Sequence, residues 1–163
     1  MTQNWCNMVL VALSALSKLL KAYDIAFKTR LDSGFGSVHL KSGVSTLTLY
    51  EEMIEINARK HRLLMLERLA NAALDALPER EKRVLVMRFL DGITFQEIAL
   101  AEDISLRTAF RRFDRARESF CRLLESLGLD EKTFMREYAS DPALKAVCTR
   151  LECERFTVAD GTR

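Results

Sequence analysis

Apolar residues recur at steps of three and four over most of the chain, and this spacing predicts helices. Met8, Val9, Ala12, Leu13, Leu16, Leu19, Leu20, Tyr23 and Phe27 form one such stripe, predicting a helix over about 5–30. Residues 31–47 hold Gly34, Gly36, Gly43 and several Ser, and read as a mobile linker or a β-hairpin. Thr48 to Glu51 has capping-box spacing and opens a second long helix running to about Ala76. Pro78 stops it and suits the first turn of the next helix, whose Glu79 and Glu81 complement the helix dipole. Val84, Leu85, Met87, Phe89 and Leu90 are its buried set, and Gly92 its left-handed cap. Thr94 and Glu97 repeat the capping box before a short helix that Glu102-Asp103 closes. Ser105 caps a long helix to about Ser126, ended by Gly128, and Asp130 and Asp141-Pro142 mark two further starts.

Composition narrows the class. The 163 residues are 48% hydrophobic and 29% charged, enough for a packed core. Only 6 Gly and 2 Pro argue against a turn-rich β fold and against glycine loops that cradle phosphate. No apolar run is long enough to span a bilayer, so no membrane partner is expected. The apolar start lacks a preceding Lys or Arg and does not read as a signal peptide. The expectation is a cytoplasmic protein whose Cys6, Cys121, Cys148 and Cys153 are reduced thiols, with no metal and no cofactor, because no short-spaced Cys/His set exists. His39 and His61 stand without a nucleophile or paired carboxylates, so no catalytic residue is assigned and no enzyme is expected. The net charge of +2 selects no partner by itself, and a polyanion site has to come from local clustering.

Clustering is found after Pro78. A short helix, a tight turn and a longer helix are the plan of a helix-turn-helix, whose second helix enters the DNA major groove. Around that helix, at roughly 100° per residue, Arg107, Thr108, Arg111 and Arg115 fall opposite Leu106, Ala109, Phe113, Ala116 and Phe120. Arg117 is the exception, on the edge of the apolar side. The cations between Ile104 and Phe120 are all Arg, whose rigid donor fork suits phosphate oxygens and the O6/N7 edge of guanine. A charged outer face is also what any solvated amphipathic helix shows.

The motif Ala73-Leu-x-x-Leu77-Pro78-x-Arg80-Glu81-x-x-Val84-Leu85-x-x-Arg88-Phe89-x-x-Gly92-x-Thr94-x-x-Glu97-Ile98-Ala99 resembles region 4 of sigma-70-type transcription factors. Ser105-x-x-Thr108-Ala109-Phe110-Arg111-Arg112-x-x-x-Ala116 looks like that region's recognition helix, and the resemblance covers about residues 72–126. One departure is the turn Ala101-Glu102-Asp103-Ile104, which carries no glycine. Residues 1–71 show no aromatic-rich strand-opening helix of the kind a complete sigma factor carries. The layout is similar to small phage-associated regulators of the ArpU/RinA type.

The resemblance implies an all-α fold, with an N-terminal helical hairpin-like arm over 1–71, a helix-turn-helix domain over 72–128 and a helical extension over 129–163. It implies a sequence-specific regulator that binds double-stranded DNA, with RNA polymerase a further candidate partner. Arg107, Thr108 and Arg111 are the candidate base readers, and Arg112 and Arg115 with Ser105 complete the DNA set. Arg80, Arg83, Arg88 and Thr94 are candidates for backbone contacts, Arg88 alternatively for an ion pair with Glu97. A single module buries little surface, so a homodimer is expected. The stripe Met8, Ala12, Leu16, Leu19, Tyr23 could pack on the second helix or on a partner. A polymerase-binding adaptor that leaves DNA alone and a phage DNA-packaging subunit are the competing readings.

Overall fold

The computed structural model describes residues 4–36 and 46–149, and among these the chain is all-α. Helix α1 spans Asn4–Gly36 and α2 spans Thr46–Asp75. Helix α3, Glu79–Leu85, runs on into a π-helical turn, Val86–Leu90. Helices α4 (Phe95–Ala101), α5 (Leu106–Ser126) and α6 (Glu131–Glu137) follow. Residues 142–149 form a last helical stretch, α7.

α1 and α2 pair antiparallel, and two ion pairs set the register: Lys60 with Asp24 at 2.5 Å and Arg30 with Glu52 at 2.6 Å. The two halves of α1 differ. From Lys18 onward it is amphipathic, with Tyr23 and Phe27 half-buried and Lys21, Asp24 and Lys28 exposed. Before that point, Val9 to Leu13 are five consecutive buried residues, so this half is covered on every side. Its partners are Leu63, Leu66 and Ala70 of α2, Phe120 and Leu124 of α5, and Phe134, Tyr138 and Leu144 of the C-terminal helices, with Trp5 5.9 Å from the Phe134 ring. The stripe from Met8 to Tyr23 therefore packs within the chain. Tyr23 also donates to the buried Asp141 carboxylate (3.2 Å), which in turn accepts the first N–H groups of α7 from Ala143 and Leu144. Burial, and then Asp141 itself, push the Tyr23 phenol above its ordinary pKa.

Two boundary expectations need correction. α1 continues to Gly36, so the first part of the Gly/Ser stretch is helix, neither linker nor hairpin; residues 37–45 of that stretch lie outside the described residues. α2 begins at Thr46, which places Thr48 within the first turn, whereas a capping residue keeps an extended backbone.

A third correction concerns sulfur. Cys6 of α1 and Cys121 of α5 form a disulfide, with Cα atoms 5.8 Å apart, in place of the reduced thiols expected. The pair is separated by 115 residues and meets only because the buried half of α1 crosses α5. Spacing rules address neighbours in sequence and do not see such a pair. Cys148 is buried in α7, and Cys153 lies outside the described residues.

The remaining boundaries follow local chemistry. Gly92 (φ +70°) and Gly128 (φ +89°) end α3's extension and α5 in the left-handed region. In the α4–α5 turn, Asp103 takes φ +50°, the conformation that glycine adopts without cost. Asp is one of the few other residues to visit it. Asp103→Val should therefore lower stability by about 1–2 kcal/mol, while Asp103→Gly should leave the urea midpoint unchanged or raised. Equal midpoints for the Val variant and the parent would show that the turn does not hold this geometry in solution.

Candidate nucleic-acid interface

The helix-turn-helix is built from α4 and α5 around a small second core of Val84, Ile98, Ala99 and Ala109, with Met87, Ile93, Phe95, Ile104 and Phe113 against it. Ala99 and Ala109 are buried, and their small side chains let the two helices approach closely. An aromatic stack braces the outer edge: Phe95 lies 4.3 Å from Phe110 and meets Phe113 edge-on at 5.0 Å. α4 opens on a complete capping box. The Glu97 N–H donates to the Thr94 hydroxyl oxygen (3.3 Å), and the Thr94 N–H donates back to the Glu97 carboxylate (2.9 Å). These bonds hold the Glu97 carboxyl below the usual carboxylate range. The Thr94 hydroxyl also donates to Glu97 (2.7 Å), so it is engaged within its own helix. α5 opens on Ser105, whose oxygen accepts the Thr108 N–H (3.2 Å) and lies 2.8 Å from the Thr108 hydroxyl.

From this cap α5 presents Arg107, Thr108, Arg111 and Arg115 as exposed side chains, while Ala109, Ala116 and Phe120 are buried on the opposite side. The first turn of α3 stands beside that outer face. Between them lies an open cleft of about 420 Å³ lined by Pro78, Arg80, Glu81, Thr108, Arg111, Arg112 and Arg115. Four guanidinium groups thus converge against one carboxylate. Arg donors in such a concave setting suit phosphate oxygens. Arg107 is not among the lining residues and stands on the first turn of α5, where a recognition helix meets base edges.

Three of the remaining candidates are tied down. Arg83 donates to one oxygen of Glu102 and Arg112 to the other, each at 3.1 Å. Arg88 is half-buried, donates to the Ile93 carbonyl (3.2 Å) and lies 5.0 Å over the Phe95 ring. Burial lowers its pKa. The alternative ion pair of Arg88 with Glu97 is not formed among the described residues, because Glu97 closes the capping box instead. Arg117 sits on the Phe113 face at 5.8 Å and pairs with Asp114 at 3.4 Å, as expected of a side chain at the edge of the apolar side.

Sequence reasoning treated Glu102 only as the end of α4 and missed its bridge. A signal was present: an acid at a helix C-terminus opposes the dipole, so some other interaction has to hold it there. Among the described residues no cluster of three or more His, Cys, Asp or Glu could hold a metal ion. No helix among them is long and apolar enough to cross a membrane.

Residues 67–120 match the family model described as sigma-70, region 4, which is about a third of the 163-residue chain. No curated protein and no solved structure matches the chain. The match brackets α3, the π-helical turn, α4 and most of α5, so this segment is a sigma-70 region 4-like helix-turn-helix.

Proposed function

We propose that the chain is a sequence-specific transcriptional regulator that binds double-stranded DNA through α5. The observation that carries this reading is the cleft of Arg80, Arg111, Arg112 and Arg115 beside an exposed recognition-helix face, inside the segment matched to sigma-70 region 4. Arg107, Thr108 and Arg111 read base edges in the major groove. Arg80 and Arg115 take phosphates through the cleft, and Ser105 and Thr94 hold the helix ends that aim these side chains. Residues 72–128 are the reading unit, and 1–71 and 129–163 support it.

A homodimer on paired half-sites supplies the surface that one module lacks. RNA polymerase is the second partner, in the manner of a phage-type activator. Leu100 supports a protein contact, being 82% exposed on α4 within the motif and not among the residues that line the cleft.

Selection of bound duplexes from a random pool at near-physiological salt tests this reading. The expected result is an enriched motif, arranged as a palindrome for a two-fold dimer, with affinity falling steeply as salt rises. Affinity that is flat with salt and lacks any motif would move the function to a protein adaptor. A ring-sized species in light scattering would favour a DNA-packaging subunit.

A further inference from the structure

We propose that Glu102 sets the strength of backbone binding: it withholds positive charge from the DNA phosphates and so keeps sequence-independent affinity low. This rests on the DNA-binding reading above. Glu102 caps the C-terminal end of α4, directly before the turn; its N–H donates to the Ile98 carbonyl (3.0 Å), and the Asp103 N–H that follows donates to the Leu100 carbonyl (3.3 Å). Its side chain is only 10% exposed. One carboxylate oxygen takes Arg83 of α3 and the other takes Arg112 of α5, each at 3.1 Å. A single acid thereby ties all three helices of the DNA-binding unit.

The two pairs are not equivalent. Arg83 is 57% exposed, so water and salt screen its attraction to Glu102. Arg112 is 20% exposed, so its pair, of the same length, is the less screened one. Arg112 is also one of the four arginines lining the cleft. A phosphate entering there meets Arg80, Arg111 and Arg115 as cations and Arg112 with its charge already offset. Backbone contacts add affinity for every sequence alike, whereas base contacts add it for one. An acid that offsets two backbone-type cations, and touches neither Arg107 nor Arg111, lowers the first and spares the second.

Glu102→Gln removes the charge and keeps the shape and an acceptor oxygen. Binding of the full chain to its selected duplex and to a random duplex is followed as salt is raised. Each phosphate contact contributes about 0.9 to the slope of log affinity against log salt. The Gln variant is expected to steepen that slope by about one to two units on both duplexes. It should raise the affinity for both duplexes severalfold and leave the ratio of specific to random binding unchanged, because the base contacts are untouched. Glu102→Asp, which keeps the charge, should retain the parental slope. A residue that only braced the turn would instead lower the melting temperature and both affinities, with no steeper slope, and that result overturns the inference.

Arg83→Gln, at an exposed position, keeps the test open if Glu102→Gln fails to fold. With the Arg83 charge offset in part by Glu102, its removal should lower the slope by less than the roughly 0.9 of an unpaired phosphate contact; a full-sized drop would show that Glu102 withholds nothing from it. A parent that binds no duplex overturns the DNA reading and this inference together. A parent that binds, with a Gln variant of parallel slope, overturns this inference alone.

Discussion

Replacing Arg107 and Arg111 together by alanine is expected to erase discrimination between a selected and a random duplex while leaving thermal stability unchanged within about 0.5 kcal/mol. Both side chains are exposed on the first half of α5, and neither forms an ion pair among the described residues, so nothing in the fold depends on them. A bidentate contact to a base edge is worth about 1–3 kcal/mol of discrimination. Two such contacts amount to roughly a hundredfold preference or more. Competition binding at fixed salt reads the loss, and a thermal melt reads the intact fold. Parental discrimination in the double variant would remove α5 as the reading element and leave its arginines as phosphate contacts or plain surface.

The other large effect is on stability. Reduction of the Cys6–Cys121 disulfide frees a loop with a sequence separation of 115. In the chain-entropy view, a loop of that length stabilises the fold by about 4–5 kcal/mol. The urea midpoint of the parent should fall accordingly when reductant is added. Cys6→Ser should sit at the lower midpoint with or without reductant. A parent whose midpoint ignores reductant would show that the sulfurs are not joined in solution, and that helix packing alone holds α1 on α5.

The segment from Pro78 to Gly128 was legible because its signals are local. Pro78, Gly92, Thr94 with Glu97, Ser105 and Gly128 each act through the backbone within a few residues, and the structure places a helix end at every one. The opposed faces of α5 were legible for the same reason, since helical geometry alone sets them. The N-terminal half was harder. Thr48 and Glu51 match the spacing of a cap, yet α2 starts earlier, and spacing says nothing of whether the backbone there is extended or already helical. Gly34 and Gly36 looked like loop residues, although α1 runs through them. The disulfide and the Glu102 bridge were out of reach in another way. Each joins residues from different helices, and only the packed arrangement makes them neighbours.

The buried first half of α1 has a consequence for biosynthesis. Val9 to Leu13 emerge from the ribosome ahead of every helix that covers them, and Phe120, Phe134 and Leu144 come much later. Until then this greasy segment has only the nascent hairpin with α2 for shelter. Its docking is a late event that the finished polypeptide completes, and oxidation of Cys6 has to wait for the same moment. Truncating α1 should therefore depress soluble yield, because Phe120, Phe134 and Leu144 lose their cover.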